Sequence, residues 1–164
     1  MSEAPAFPMP TAGLLEHWQG HRRVTRRVIQ AFPERDLFHY SVGGMRPFAA
    51  MAFEMISMAR GGIRGIATRN WATGPELLHH SGAAIPDTRE GLLRLWDETT
   101  EELDRTWPGI AAARFTETDL AFGQWEGVIH GILAYWIDNE IHHRGQGYVY
   151  LRALGIEPPA FYER

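Results

Sequence analysis

The sequence predicts an all-α fold, a four-helix bundle that ends in a long C-terminal helix. Apolar residues recur at helical spacing in four separate stretches. Loops rich in Gly and Pro separate these stretches. None of the four stretches alternates between apolar and polar residues as a strand does. A chain of 164 residues has the size of one domain. We therefore expect an extended lead-in at residues 1–11 and a single domain at residues 12–164.

The first two helices are delimited by prolines. The first helix is predicted from Ala12 to the Phe32-Pro33 step, because the residue before a proline avoids the helical region. Residues 33–45 are predicted to be a loop. The second helix opens at Pro47, since proline suits the first turn of a helix.

The third helix is predicted from a capping signal. Asp87 is followed three residues later by Glu90, which is the spacing of a capping box with Asp87 as N-cap. The Trp107-Pro108 step ends this helix.

The fourth helix is the longest, from about Gly123 to Leu154. Gly155 follows it as a C-terminal cap. The aromatic side chains of the tail, Phe161 and Tyr162, are expected to pack back onto the bundle.

Composition excludes several kinds of chemistry. The chain has no Cys, so it forms no disulfide and has no cysteine nucleophile. It has no Lys, which excludes a lysine Schiff base. Its net charge of −4 argues against a nucleic-acid partner, because that binding depends on neutralising phosphates. No segment resembles a signal peptide or spans a bilayer, so we expect a cytoplasmic protein without membrane contact.

One basic cluster and several histidines stand outside the apolar faces of the helices. The cluster of Arg22, Arg23, Arg26 and Arg27 is predicted to be a solvated helix face rather than an anion site. The five histidines outside the last helix are predicted to be exposed: His17, His21, His39, His79 and His80.

A polar segment interrupts the last helix. Asn139 and His143 are four residues apart and therefore share one face of the helix. Gln146 continues this face, and Glu140 flanks it. Imidazole and oxygen ligands converging from neighbouring helices are how bundles build metal sites. A hydrogen-bonded polar core without a metal explains the same spacing, and the two interpretations stay open.

The sequence resembles the DinB-like (damage-inducible) proteins. The last helix carries HHRGQ at residues 142–146, followed by YLR at 150–152 and LG at 154–155. The second helix opens with RPF at residues 46–48. The resemblance covers nearly all of residues 12–155, and it implies a bundle of DinB-like topology.

The resemblance also implies a metal site. Such proteins hold a divalent metal with one histidine from the second helix and a His-x-x-x-His pair from the last. Transferred to this sequence, the three positions fall on Glu54, Asn139 and His143, so that only one of the three is histidine. The ligand would be a divalent metal such as Zn, Ni, Mn or Fe.

Two functions follow from the resemblance. The first is a stress-associated, metal-dependent transferase that uses an external low-molecular-weight thiol and acts on a small-molecule ligand. The second is a non-catalytic member with a degraded metal site, acting as a structural or interaction protein. A homodimer is expected in both cases, because related bundles commonly dimerise and two-fold symmetry is the default for such assemblies.

Overall fold

The computed structural model describes residues 10–164 as a four-helix bundle with a small β-hairpin. The helices are α1 (Thr11–Ala31), α2 (Glu34–His39), α3 (Phe48–Thr68), α4 (Arg89–Thr106) and α5 (Ile129–Ala153). The strands β1 (Thr118–Ala121) and β2 (Trp125–Val128) pair in antiparallel orientation. The predicted all-α bundle is confirmed, and most of the lead-in at 1–11 lies outside the described residues. No helix within residues 10–164 has the length and apolarity to cross a membrane.

The four long helices are arranged so that α1 lies diagonally opposite α3, and α4 lies diagonally opposite α5. Both α1 and α3 pack along α4 and α5, whereas α1 and α3 touch each other only slightly. The chain must therefore cross an end of the bundle between α1 and α3 and again between α4 and α5. The first crossing contains α2, a short helix inside the predicted loop at 33–45, and the second contains the hairpin.

The hairpin was not predicted, and it shortens the last helix. The helix α5 begins at Ile129 rather than at Gly123. Two strands of four residues each are too short to reveal an alternating pattern. Phe122 and Gly123 make the turn between them with positive φ angles of 54° and 69°.

Two smaller expectations are also wrong. The N-cap of α4 is Thr88 rather than Asp87, and its hydroxyl accepts a hydrogen bond of 3.1 Å from the Gly91 N–H. The tail aromatics do not pack onto the bundle, since Phe161 is 61% exposed and Tyr162 is 71% exposed.

Arg22 lies inside the bundle, which corrects the prediction of a solvated basic face. It is 1% exposed. Its guanidinium lies 4.1 Å from the centre of the Trp96 ring and donates hydrogen bonds to Thr100 Oγ1 and to the Trp96 carbonyl. Burial lowers the pKa of Arg22 to about 10, which still leaves the group charged at neutral pH.

A second buried charge, Glu140, faces Arg22 across the bundle interior. Its carboxylate accepts hydrogen bonds from Thr25 Oγ1 at 2.6 Å and from Trp18 Nε1 at 3.3 Å. Burial raises the pKa of Glu140, and the nearby positive charges of Arg22 and Arg144 oppose that rise. An unpaired buried carboxylate would be costly, so these partners are needed to keep Glu140 inside.

His21 belongs to the same buried layer and is not a surface residue as predicted. It is 2% exposed, and the Arg144 guanidinium donates to its Nδ1 at 3.0 Å and to its backbone carbonyl. Burial, with Arg144 close by, lowers the pKa of His21 to about 4. The imidazole is therefore neutral at neutral pH.

A glycine on α3 fixes the position of Trp136 on α5. A Cβ atom at Gly62 would lie 2.3 Å from the Trp136 ring. The ring is 4% exposed and packed among other aromatic side chains, so it has little room to move. Gly62 therefore allows the close approach of α3 and α5 at Trp136.

We expect Gly62→Ala to destabilise the protein by about 1–3 kcal/mol, because the added methyl group overpacks the contact with Trp136. Gly145→Ala is the matched control, since a Cβ atom there meets nothing within 4 Å. It should stabilise α5 by about 0.5–1 kcal/mol, the usual gain of Ala over Gly in a helix. Urea denaturation of both variants checks this, and equal effects would contradict the packing argument.

Candidate functional site

Glu54, Asn139 and His143 lie together between α3 and α5. The Glu54 Oε1 atom is 3.2 Å from His143 Nε2 and 3.5 Å from Asn139 Nδ2. Asn139 and His143 are one turn apart on α5 and project from the same face. The structure thus brings the three predicted residues together, while their role as metal ligands stays a prediction.

Two further residues complete a polar network around Glu54. Arg46, just before α3, places Nη1 2.7 Å from Glu54 Oε2. Gln146 places Oε1 2.8 Å from His143 Nδ1. A carboxamide oxygen only accepts, so His143 Nδ1 carries a proton. Both carboxylate oxygens and both ring nitrogens consequently have partners within the protein.

The contacts between Glu54 and His143 favour their charged forms. The hydrogen bond with His143, followed by the contacts with Arg46, lowers the pKa of Glu54 to about 2, although burial acts in the opposite direction. Burial lowers the pKa of His143, but hydrogen bonds to Glu54 and Gln146 outweigh it, and the pKa is raised. The network therefore contains an ionised carboxylate held between a guanidinium and an imidazole.

The network as arranged does not fit a divalent metal. A metal ligand must be deprotonated, whereas the Glu54 contact favours protonated His143. The Arg46 guanidinium already neutralises Glu54, and Asn139 directs its amide nitrogen toward the carboxylate. Within residues 10–164, no group of three or more His, Cys, Asp or Glu side chains is arranged to hold a metal ion.

An open cavity of about 580 Å³ adjoins this network, and Glu54 lies in its wall. Four elements contribute to the wall: α3, the loop before α4, the hairpin and the first turns of α5. Most of the lining is apolar. The lining includes four polar side chains, Glu54, His79, His80 and Glu126, four aromatic side chains, Phe122, Trp125, Tyr135 and Trp136, and Gly131.

Aromatic rings form one continuous side of the cavity. The Phe122 ring centre lies 6.0 Å from that of Trp125 and 5.8 Å from that of Trp136. Phe122 is 1% exposed although it occupies the left-handed backbone region, which is uncommon for a bulky residue. Such backbone conformations persist where the surroundings impose them, often beside ligand sites. The hairpin turn at Phe122 therefore forms part of the cavity wall.

Two loop histidines border the cavity. His79 is half-buried, not exposed as predicted, and its Nδ1 lies 2.8 Å from Ser57 Oγ on α3. Burial, with His80 nearby, lowers the pKa of His79. His80 is exposed as predicted, and its Nδ1 lies 3.0 Å from the Gly74 carbonyl. Because a carbonyl only accepts, His80 Nδ1 donates, which leaves Nε2 as an acceptor in the neutral ring.

Sequence reasoning missed the residues that decide the character of the site. Arg46 entered the sequence analysis only as part of the RPF segment that opens the second helix. The available signal was a charge pair, because Arg46 precedes Glu54 by eight residues. Trp125 and Phe122 gave no signal, because the hairpin that places them at the cavity was not predicted.

The sequence belongs to the DinB family, whose family model matches residues 8–164. No curated protein matches the sequence. Two similar solved structures are DinB-like proteins. The one from Bacillus subtilis has a TM-score of 0.71 at 16% identity, with 93% of this chain and 99% of that chain covered. The one from Bacillus cereus has a TM-score of 0.69 at 17% identity, with coverage of 92% and 97%.

A third similar structure is a point mutant of a mycothiol-dependent maleylpyruvate isomerase. Its TM-score is 0.62 at 13% identity, and the match covers 87% of this chain and 62% of that chain. At these identities the three structures establish a shared fold, which confirms the DinB-like topology predicted from the sequence.

We expect the pKa of His143 to be raised above its ordinary value in the native protein and to fall in Glu54→Gln. The substitution removes the negative charge that favours imidazolium, so that burial, which lowers the pKa, is opposed mainly by the hydrogen bond with Gln146. NMR titration of the histidine ring protons measures this, with the exposed His39 as internal control. An unchanged His143 pKa would mean that the two side chains do not interact in solution.

Proposed function

We propose that this DinB-family protein binds a small organic molecule in the cavity beside Glu54. The observation that carries the proposal is the cavity itself. Its volume of about 580 Å³ lies within the range of ligand pockets, roughly 300–1,000 Å³. Its wall combines aromatic rings with a few polar groups, which is the composition typical of such pockets.

The network around Glu54 supports this proposal by holding one polar group in place. The carboxylate is fixed by Arg46 and His143 and reaches the cavity wall from α3. A side chain held from two directions loses little conformational freedom when it accepts a hydrogen bond from a ligand. Glu54 therefore serves as the oriented polar contact of an otherwise apolar site.

A metal-dependent thiol transferase is the second candidate. Two observations favour it: Glu54, Asn139 and His143 meet at one place, and a mycothiol-dependent enzyme shares the fold. The pairing of Glu54 with Arg46 argues against it, since a metal would have to displace the guanidinium. In the first proposal Arg46 supplies the positive charge at this position, and no metal is required.

The homodimer stays a proposal. Exposed apolar side chains on α5 that do not line the cavity support it, because Ile141 is 39% exposed and Val149 is 54% exposed. They lie on the outer face of the long helix, where a second copy would cover them.

The binding proposal predicts that Gly131→Leu abolishes binding of Nile red, a neutral fluorophore that brightens in apolar surroundings. Gly131 lines the cavity, and a Cβ atom there meets nothing within 4 Å, so leucine fills the cavity without disturbing the helix. Gly145→Leu is the control, the same substitution at an open position of α5 away from the cavity. Fluorescence titration checks this. Equal Nile red binding in both variants would reject the cavity as the site.

The two candidates also differ in their expected metal binding. Calorimetric titration with Zn and Ni should show weak binding to the native protein. Binding should be stronger by orders of magnitude in the double variant Glu54→His/Asn139→His, because neutral imidazole suits these metals. Metal at 100 times its Kd should stabilise the double variant by about 2.7 kcal/mol. Tight binding by the native protein that Glu54→Gln abolishes would instead support the thiol transferase.

A further inference from the structure

The geometry points to an organic cation as the ligand: we infer that the cavity binds an ammonium ion attached to an apolar group. This inference rests on the proposed binding function and names the chemical class of its ligand. It is carried by three features of the cavity wall: exposed aromatic rings, two carboxylates with no arginine in the lining, and hydrogen-bond acceptors on Glu126 and His80.

The first feature is aromatic surface at the open side of the cavity. Trp125 is 51% exposed and Tyr135 is 62% exposed, although both are large amphipathic rings. Behind Trp125, Phe122 and Trp136 continue the ring wall into the protein. The face of an aromatic ring attracts a cation, most strongly for Trp. Exposed rings around a cavity are therefore suited to an ammonium group.

The second feature is charge. The described lining contains the carboxylates of Glu54 and Glu126 and no Arg, and the chain has no Lys at all. Arg46 and His143 compensate Glu54. Glu126 on β2 is exposed, and within residues 10–164 it forms no salt bridge. The wall therefore carries an uncompensated negative charge, which attracts cations and repels anions.

The third feature is the direction of the hydrogen bonds that the wall offers. Carboxylates only accept. The Nδ1 proton of His80 is engaged by the Gly74 carbonyl, which leaves Nε2 as an acceptor in the neutral ring. Burial lowers the pKa of His79, which disfavours a positive charge there. A ligand with positively charged N–H donors can pair with Glu126, whereas a carboxylate or phosphate ligand would be repelled by it.

The inference is tested with three ligands of nearly equal shape and different charge: benzylammonium, benzyl alcohol and benzoate. Saturation-transfer NMR and tryptophan fluorescence on the full chain at neutral pH give their affinities. We expect benzylammonium to bind about tenfold more tightly than benzyl alcohol, a difference of about 1.4 kcal/mol. Benzoate should bind most weakly. Benzyltrimethylammonium, which has no N–H donor, removes the hydrogen-bond contribution but keeps the charge and the contact with the aromatic rings, and it should still bind more tightly than benzyl alcohol.

Two variants test whether the cavity wall causes the preference for benzylammonium. Glu126→Gln and Trp125→Leu should each reduce the ratio of benzylammonium affinity to benzyl alcohol affinity several-fold. Glu157→Gln is the control for net charge, because Glu157 lies in the exposed tail and does not line the cavity. It should leave the preference unchanged.

The outcomes separate the inference from the function on which it rests. Equal affinities for benzylammonium and benzyl alcohol would contradict the inferred preference for a cation. If Gly131→Leu still abolished Nile red binding, the proposed binding site itself would stand. A cation preference that persists in both Glu126→Gln and Trp125→Leu would also overturn the inference. Failure of every probe, Nile red included, would reject the proposed binding function itself.

Discussion

A carboxylate inside a helix bundle must be compensated from neighbouring helices, and this constraint organises the polar half of the molecule. Glu140 is compensated by Arg22 from α1 and Arg144 from its own helix, with hydrogen bonds from Thr25 and Trp18. These contacts join α1 to α5 across the interior. Removing one partner from such a buried arrangement costs about 3–5 kcal/mol, because the remaining charge is left uncompensated. The relative position of the two helices thus depends on charge pairing as well as on apolar packing.

Glu54 obeys the same constraint at the edge of the cavity, with a different consequence. Its partners, Arg46 and His143, contact different carboxylate oxygens, and Glu54 also lies in the wall of the cavity. The pairing stabilises the protein most between the ordinary pKa values of the two groups. On the acid side the contribution is lost as the pH falls toward 2, where Glu54 becomes protonated. On the basic side it is lost as the pH rises through the raised pKa of His143.

The parts of this structure that depend on local sequence were predictable, and those that depend on distant contacts were not. Helical periodicity and the prolines defined α1, α3 and α4 to within a few residues, and the four-residue spacing of Asn139 and His143 located the polar face of α5. The resemblance to the DinB-like proteins then placed Glu54 opposite them. The burial of His21 and Arg22 was missed because nothing local distinguishes an arginine that faces Trp96 from one that faces water. The hairpin was missed because its strands are short, and with it the aromatic wall of the cavity.

The resemblance to the DinB-like proteins implies a histidine at position 54, and the glutamate present there gives the site a different charge. A neutral imidazole ligand leaves the charge of a bound metal to be balanced elsewhere, whereas Glu54 brings a negative charge of its own. Arg46 lies 2.7 Å from that carboxylate and His143 lies 3.2 Å from it. The single negative charge of Glu54 therefore already contacts a guanidinium and an imidazole. A divalent ion added to this arrangement would leave positive charges uncompensated in a half-buried position, unless Arg46 moved into solvent. Arg46 is half-exposed, and a guanidinium can reach water on its long side chain. Metal binding by Glu54 would therefore require Arg46 to move away. With Arg46 in the described position, Glu54 is a paired carboxylate in the cavity wall.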